Sequence, residues 1–280
     1  MALISAAIAA GGLLTLPMAG NGAISAIMVH GPAHLEIEYE AVVPVPLLGR
    51  VKAASATVAA DLTPRGYIIE SHARTKGVYD WFVDYNLSII STGAMTPYGL
   101  RPLRYDSSNK DGKKNRHVIV EFSPSEVVVS VTPKYGDWGF PPTTKEQMLE
   151  AMDPLSAIIE LTLRTGASPP NPCGGPMRIF DGKQRYDLRL KFSGRLGWKS
   201  KAYSGPVLKC AIEYVEIAGF KNKTAEQKAK DRRDMEWSNI ILAELNGGAI
   251  TPPIKIEGRS KSRGKMTVQA TRLSYGPPGR

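Results

Sequence analysis

From residue 34 onward the chain alternates. In His34-Leu-Glu-Ile-Glu-Tyr-Glu-Ala, the apolar Leu35, Ile37, Tyr39 and Ala41 take every second place, and His34, Glu36, Glu38 and Glu40 take the places between. A period of two sends one set to each face of a strand, one dry and one wet; a helix would scatter the same residues around its circumference. Strand-like runs recur at Arg50–Asp61, rich in small residues (Ala53, Ala54, Ala56, Ala59, Ala60), and at Gly66–Lys76, Leu87–Met95, Arg101–Ser107, Arg116–Phe122 and Glu126–Pro133. They return at Pro176–Phe180, Gln184–Ser193, Val207–Ile217, Glu236–Leu245, Pro253–Gly258 and Lys265–Tyr275. Val78–Asn86 is ambiguous, because Trp81, Phe82 and Tyr85 have helical spacing among β-formers. Thr63-Pro-Arg-Gly, Asp111-Gly112 and Asp181-Gly182 supply turn chemistry between runs.

One good helix interrupts the strands. Asp153 offers an N-cap, Pro154 suits the first helical position, and Leu155, Ile158 and Ile159 follow at helical spacing until Gly166. Before it, Lys134–Thr144 reads as a Gly/Pro/aromatic loop carrying Trp138 and Phe140, and Thr144-Lys-Glu-Gln opens a short turn. About a dozen strands in succession, with no internal repeat, predict a mainly β fold. The expected form is a single antiparallel, strongly curved sheet or open barrel, with one helix plugging or covering it.

The N-terminus reads as an address. No Asp, Glu, Lys or Arg occurs before Glu36, Ala2–Leu16 is almost wholly apolar, Pro17 breaks the run, and Ala23-Ile-Ser-Ala follows with small residues. That is the layout of a secretory signal peptide, although no Lys or Arg precedes the apolar run. The run is short of the roughly 20 residues a membrane-spanning helix needs. A cleaved signal over residues 1–26 is expected, with an uncleaved anchor or a buried helix as alternatives. Residues 27–280 then form one curved-sheet domain in the periplasm. Hydrophobic residues at 42% and charged residues at 22% exclude a disordered chain. The formal charge of +10 favours anionic partners or serves solubility alone. Export argues against nucleic acid. In an exported chain the two cysteines, Cys173 and Cys210, read as one disulfide; a reactive or metal-binding pair is the weaker alternative, since metal ligands cluster.

Catalytic signatures are missing: there is no G-x-S-x-G, no H-E-x-x-H and no P-loop. His30, His34, His72 and His117 are scattered, and of these His34, His72 and His117 could meet in space only through the fold. Glu36, Glu38 and Glu40 could be a carboxylate row, but alternation explains them without chemistry. Asp181-Gly-Lys-Gln-Arg-Tyr-Asp is either a hairpin turn or the polar rim of a ligand mouth. Among the aromatics, core filling is the default, but Trp138 and Phe140 lie in a loop, where a ligand lip is plausible. Two cationic runs, Lys221–Arg233 and Arg259-Ser-Lys-Ser-Arg-Gly-Lys, read as solvated hairpin tips. Lys221, Lys223, Lys228, Lys230, Arg232 and Arg233 are the candidates for touching an anionic membrane.

Three stretches carry a family resemblance: the strand around Tyr39, the helix Asp153-Pro-Leu-Ser-Ala-Ile-Ile-Glu-Leu-Thr-Leu-Arg, and Ile179-Phe-Asp-Gly-Lys-Gln-Arg-Tyr-Asp-Leu leading to the strand with Cys210. In this order the chain resembles a bacterial periplasmic envelope family that carries only a domain-of-unknown-function label. That family looks related to lipoprotein carriers and curved-sheet envelope-integrity proteins. The resemblance implies a concave apolar face under a helix and an envelope role, and it supplies no catalytic residues. The expected function is therefore a non-enzymatic periplasmic protein binding a lipid, a lipoprotein acyl moiety or an envelope partner. Trp138, Phe140, Leu155, Ile158 and Ile159 are the expected ligand contacts, with no cofactor and no metal. A structural scaffold without a cavity and a periplasmic hydrolase are the alternatives.

Overall fold

The computed structural model describes residues 31–45, 49–75, 85–110, 115–164, 171–262 and 264–278. The expected signal peptide, Trp81, Phe82, the Asp111-Gly112 tip and the Gly166 stop lie outside them. Thirteen strands form one antiparallel sheet in the order β7-β6-β5-β4-β3-β2-β1-β13-β12-β11-β10-β9-β8. They are β1 (Ala33–Val45), β2 (Gly49–Leu62), β3 (Gly66–Thr75), β4 (Asn86–Thr96), β5 (Gly99–Lys110), β6 (Arg116–Phe122) and β7 (Val127–Thr132). The second half comprises β8 (Met177–Phe180), β9 (Arg185–Lys199), β10 (Ser204–Ala218), β11 (Met235–Ala243), β12 (Pro253–Ser260) and β13 (Gly264–Gly276). Every neighbouring pair is consecutive in sequence except β1 and β13, which join the two halves of the chain, His34 opposite Gly276. The sheet ends in two edges, β7 and β8, so the barrel is open.

Alternation sets the inner face. Leu35 and Ile37 of β1, Ala60 and Leu62 of β2, and Tyr67 and Ile69 of β3 are buried, while Glu36, Thr57 and Glu70 face outward. Among the described residues, three α-helices accompany the sheet: α1 (Lys145–Leu149), α2 (Pro154–Arg164) and α3 (Ala225–Asp234). Thr144 caps α1 in a reciprocal box with Gln147. The chain between the sheet edges carries α1 beside β7 and α2 through the concave side. Of the two arrangements open to the helix, α2 takes the plug: Leu155, Ser156, Ala157, Ile159, Glu160, Leu161 and Thr162 are all buried. A helix buried all round is wrapped by its sheet, not laid over it.

Three contacts close the gap between the edges. Met152 pairs in parallel with Ile179, donating its N–H to Arg178 O (3.0 Å) and accepting from Phe180 N (2.9 Å), which covers the edge of β8. The β8–β9 turn leans on β6 and β7: Gly182 has φ +92°, and a Cβ there would collide with Val118 and press on Val120. Arg185 is buried, donating to Gln147 O (3.3 Å), Tyr186 O (2.7 Å) and Asp187 Oδ1 (2.5 Å), and so ties β9 to α1.

The disulfide joins Cys173 to Cys210, with Cα atoms 6.1 Å apart and both residues fully buried. It pins the α2–β8 connector onto β10. Closing a loop of this length restricts the unfolded chain by about 4 kcal/mol in the chain-entropy model.

One element differs from the reading of the sequence. The run Lys221–Arg233 is not a bare hairpin tip; most of it is α3. The cause is local: Thr224 N donates to Gln227 Oε1 (2.9 Å) and Gln227 N to Thr224 Oγ1 (3.2 Å), a second capping box. The other cationic run is a tip as expected, with β12 ending at Ser260 and β13 starting at Gly264.

Candidate functional site: an apolar cavity

The strand ends define two ends of the barrel. The upper end holds the finish of β1, β3, β5, β7, β10 and β12; the lower end holds their starts. α2 starts near mid-height and descends. Low on the barrel, Glu160 Oε2 accepts from Leu100 N (3.0 Å), and Thr251 donates to Thr162 O through its N–H (2.8 Å) and its hydroxyl (3.2 Å). The two bonds from Thr251 satisfy one of the carbonyls that the last turn of a helix leaves free.

Above the helix lies a cavity of about 190 Å³. Pro154, Leu155, Ala157, Ile158 and Leu161 form its floor. One wall comes from Tyr39, Ala41, Ala54, Ala56, Ala73, Leu87 and Ile89 on β1 to β4. The other comes from Ile179, Leu188, Leu190, Ile212, Ile240, Ile256 and Val268. The space exists because alanines stand where neighbouring inward positions hold Leu, Ile or Tyr. The alanine-rich Arg50–Asp61 run was the one sequence signal of a hollow wall, since Ala54 and Ala56 alternate onto the inner face.

Polar groups at the cavity are few. Tyr39 donates its hydroxyl to Pro253 O (2.6 Å), and burial raises its phenol far above the ordinary range. Tyr186 is raised in the same way by burial. At the head of α2, Asp153 Oδ1 accepts from Leu155 N and Ser156 N (3.0 Å each), and Oδ2 accepts from Ser91 Oγ (2.8 Å) and Ser156 Oγ. Tyr67 OH and Ser156 Oγ are hydrogen-bonded at 2.6 Å. Burial pushes the Asp153 carboxyl above its usual range, against the pull of those hydrogen bonds. This network caps the helix: every oxygen and hydroxyl in it already has a partner within the protein.

The expected contact residues separate into three places. Leu155 and Ile158 line the cavity. Ile159 is fully buried on another side of the helix, in the core with Leu100 and Tyr105. Trp138 and Phe140 are not among the lining residues; they sit in the β7–α1 loop, 44% and 66% exposed. That loop is fixed by Phe140 N donating to Phe220 O (2.7 Å) and by Gly219 N donating to Pro141 O (2.8 Å). A Cβ on Gly139 would collide with the Gly219 backbone, so the two segments touch main chain to main chain.

Among the described residues, the candidate catalytic groups do not converge. His34 pairs with Asp61 (2.7 Å), His72 with Ser88 (3.1 Å) and His117 with Asp106 (2.6 Å), each on a different strand pair. Glu40 pairs with Lys52 (2.6 Å) and Glu38 with Arg272 (3.5 Å) on the outer surface. Asp181 caps its own hairpin turn, accepting from Lys183 N (3.0 Å) and Gln184 N (2.7 Å), and is half-buried. Among the described residues, no group of three His, Cys, Asp or Glu side chains could hold a metal ion.

Comparison with known proteins turns on one match: residues 37–247 fit the model of a protein family described as "Protein of unknown function (DUF3108)". The chain belongs to this DUF3108 family. The match runs from β1 through α2 to the end of β11, so it takes in most of the cavity. No curated protein matches the chain. Among solved structures, the crystal structure of a beta-barrel-like protein of domain of unknown function DUF1849 from Brucella abortus is similar at a TM-score of 0.47 and 11% identity, over 87% of this chain and 97% of that one.

Proposed function

We propose that this DUF3108 chain is a non-enzymatic cell-envelope protein, exported to the periplasm, that holds an apolar moiety such as a lipid or lipoprotein acyl chain. The observation that carries this reading is the cavity above α2. Its lining is mostly aliphatic and aromatic, and the Tyr39 hydroxyl beside it is bonded to Pro253 O within the protein. An apolar cavity smaller than this one, about 150 Å³, stays dry and takes up apolar ligands. Here each buried methylene would contribute about 0.8 kcal/mol. The buried disulfide supports a compartment that permits oxidation. The absence of converging acid, base or nucleophile among the described residues supports binding over turnover.

The test is native mass spectrometry of the purified chain, repeated after denaturation. The expected result is extra mass of lipid size that is lost on denaturing. A protein that stays free of added mass after incubation with a long-chain fatty acid and with a diacyl phospholipid would point instead to the scaffold alternative.

A further inference from the structure

We propose that the upper end of the barrel, the end nearer the cavity, docks on an anionic lipid bilayer. Two cationic runs that are far apart in sequence meet there. The carboxylate of Asp234, at the end of α3, accepts from Ser262 N and from Ser262 Oγ (2.8 Å each), and Lys261 N donates to Asp234 O (2.8 Å). Helix and turn therefore form one platform, and the acid that joins them is turned toward the protein. Lys228 and Lys230 on α3 and Lys261 on the turn are exposed. Asp231 pairs within the platform with Lys223 (3.0 Å), a cation that Glu216 shares (3.1 Å).

The second observation is apolar. Phe140 and Trp138 are exposed at the same end, on the loop that main-chain hydrogen bonds fix to Gly219 and Phe220, just before α3. Aromatic rings beside clustered lysines match the boundary between headgroups and acyl chains, where rings settle and cations meet phosphate. α3 itself is polar all round, so it inserts nothing and presents charge alone. This docking deepens the binding-protein reading by placing the cavity-bearing half beside a source of acyl chains, but its test does not use the cavity.

The test is co-sedimentation of the full chain with vesicles of phosphatidylcholine alone and of an equal mixture with phosphatidylglycerol. Binding is expected to the mixed vesicles only, and to weaken with added salt. Each neutralised lysine is expected to weaken it about fivefold, so the triple variant Lys228→Gln, Lys230→Gln, Lys261→Gln falls about a hundredfold. Phe140→Ser is expected to weaken it a few-fold without disturbing the fold, its ring being mostly in solvent. Lys199→Gln with Lys201→Gln, at the lower end, is expected to leave it unchanged. Equal binding to neutral vesicles, no binding to either, or an equal loss in the lower-end variant would overturn the proposal. A chain that carries lipid in the mass measurement yet ignores vesicles overturns the docking alone; one that binds vesicles yet carries nothing overturns the cargo alone.

Discussion

In the lower half of the barrel, Ile159 and Leu163 of α2 pack into a continuous core with Leu100, Leu62 and Ile250. In the upper half, Ala41, Ala54, Ala56 and Ala73 face Ile158 across a cavity. The same strands run through both halves with the same alternation. The difference comes from side-chain volume and from the path of one helix. Inward positions on β1 and β2 hold Leu35, Ile37, Ala60 and Leu62 below, and Ala41, Ala54 and Ala56 above. A protein interior normally packs to the density of an organic crystal. A run of small side chains that no bulky partner fills is therefore a feature of the fold, and it is the place the proposed ligand would occupy.

The contrast can be broken by truncating the helix on its two sides. Ile159→Ala, in the filled half, is expected to lose about 3–4 kcal/mol in urea denaturation, as for a fully buried aliphatic side chain. Ile158→Ala, partly buried at the cavity, is expected to lose less, about 1–2 kcal/mol, because its side chain gives up fewer packing contacts. Equal losses would mean that the upper half is packed.

Next in size is the helix head that separates the halves. Asp153→Ala is expected to lose about 2–3 kcal/mol, since Ser91, Ser156 and two backbone N–H groups lose their acceptor in a buried site. Asp153→Asn keeps an acceptor for the backbone groups and is expected to lose much less. Its pH dependence sharpens the point. The folded protein binds the Asp153 proton more tightly than the unfolded chain, whose carboxyl titrates near 3.8. Stability from this group is therefore present below the unfolded value and is lost as pH rises through the raised folded value. Wild type minus Asp153→Asn, followed by denaturation from acid to neutral pH, is expected to fall across that window. A flat difference would mean the carboxyl ionises freely where it sits.

The smallest effect on stability is expected from filling the cavity. Ala56→Leu with Ala73→Leu is expected to change unfolding free energy by less than about 1 kcal/mol, because the added methyl groups enter existing space. It is also expected to abolish uptake of a fluorescent apolar probe. Retained uptake would place the ligand elsewhere.

Much of this architecture was legible in the residues. The alternation around Leu35 and Ile37 marked β1, Asp153-Pro154 marked the head of α2, and the two cysteines of an expected exported chain marked one bridge. These signals depend on backbone period, capping chemistry and residue count, all of which operate over a few residues. The second capping box, at Thr224 and Gln227, was equally local and was masked by the surrounding charge. The site was far less legible. Leu155 and Ile158 proved to face the cavity and Ile159 did not, because a helix wrapped on every side has no single apolar stripe to reveal its neighbours.

By itself, the sequence determined a β protein of about a dozen antiparallel strands with one good helix plugging or covering the sheet, because a period of two and a capped helical run each follow from local stereochemistry. Only the tertiary structure decided that β1 meets β13, that the gap between β7 and β8 is closed by Met152 and the Gly182 turn, and that the barrel is hollow above α2. It also decided that α3, the Lys261 turn and the Phe140 loop share one end. Those outcomes rest on contacts between residues far apart in the chain, where the sum of side-chain volumes, not any local pattern, sets what is filled and what stays open.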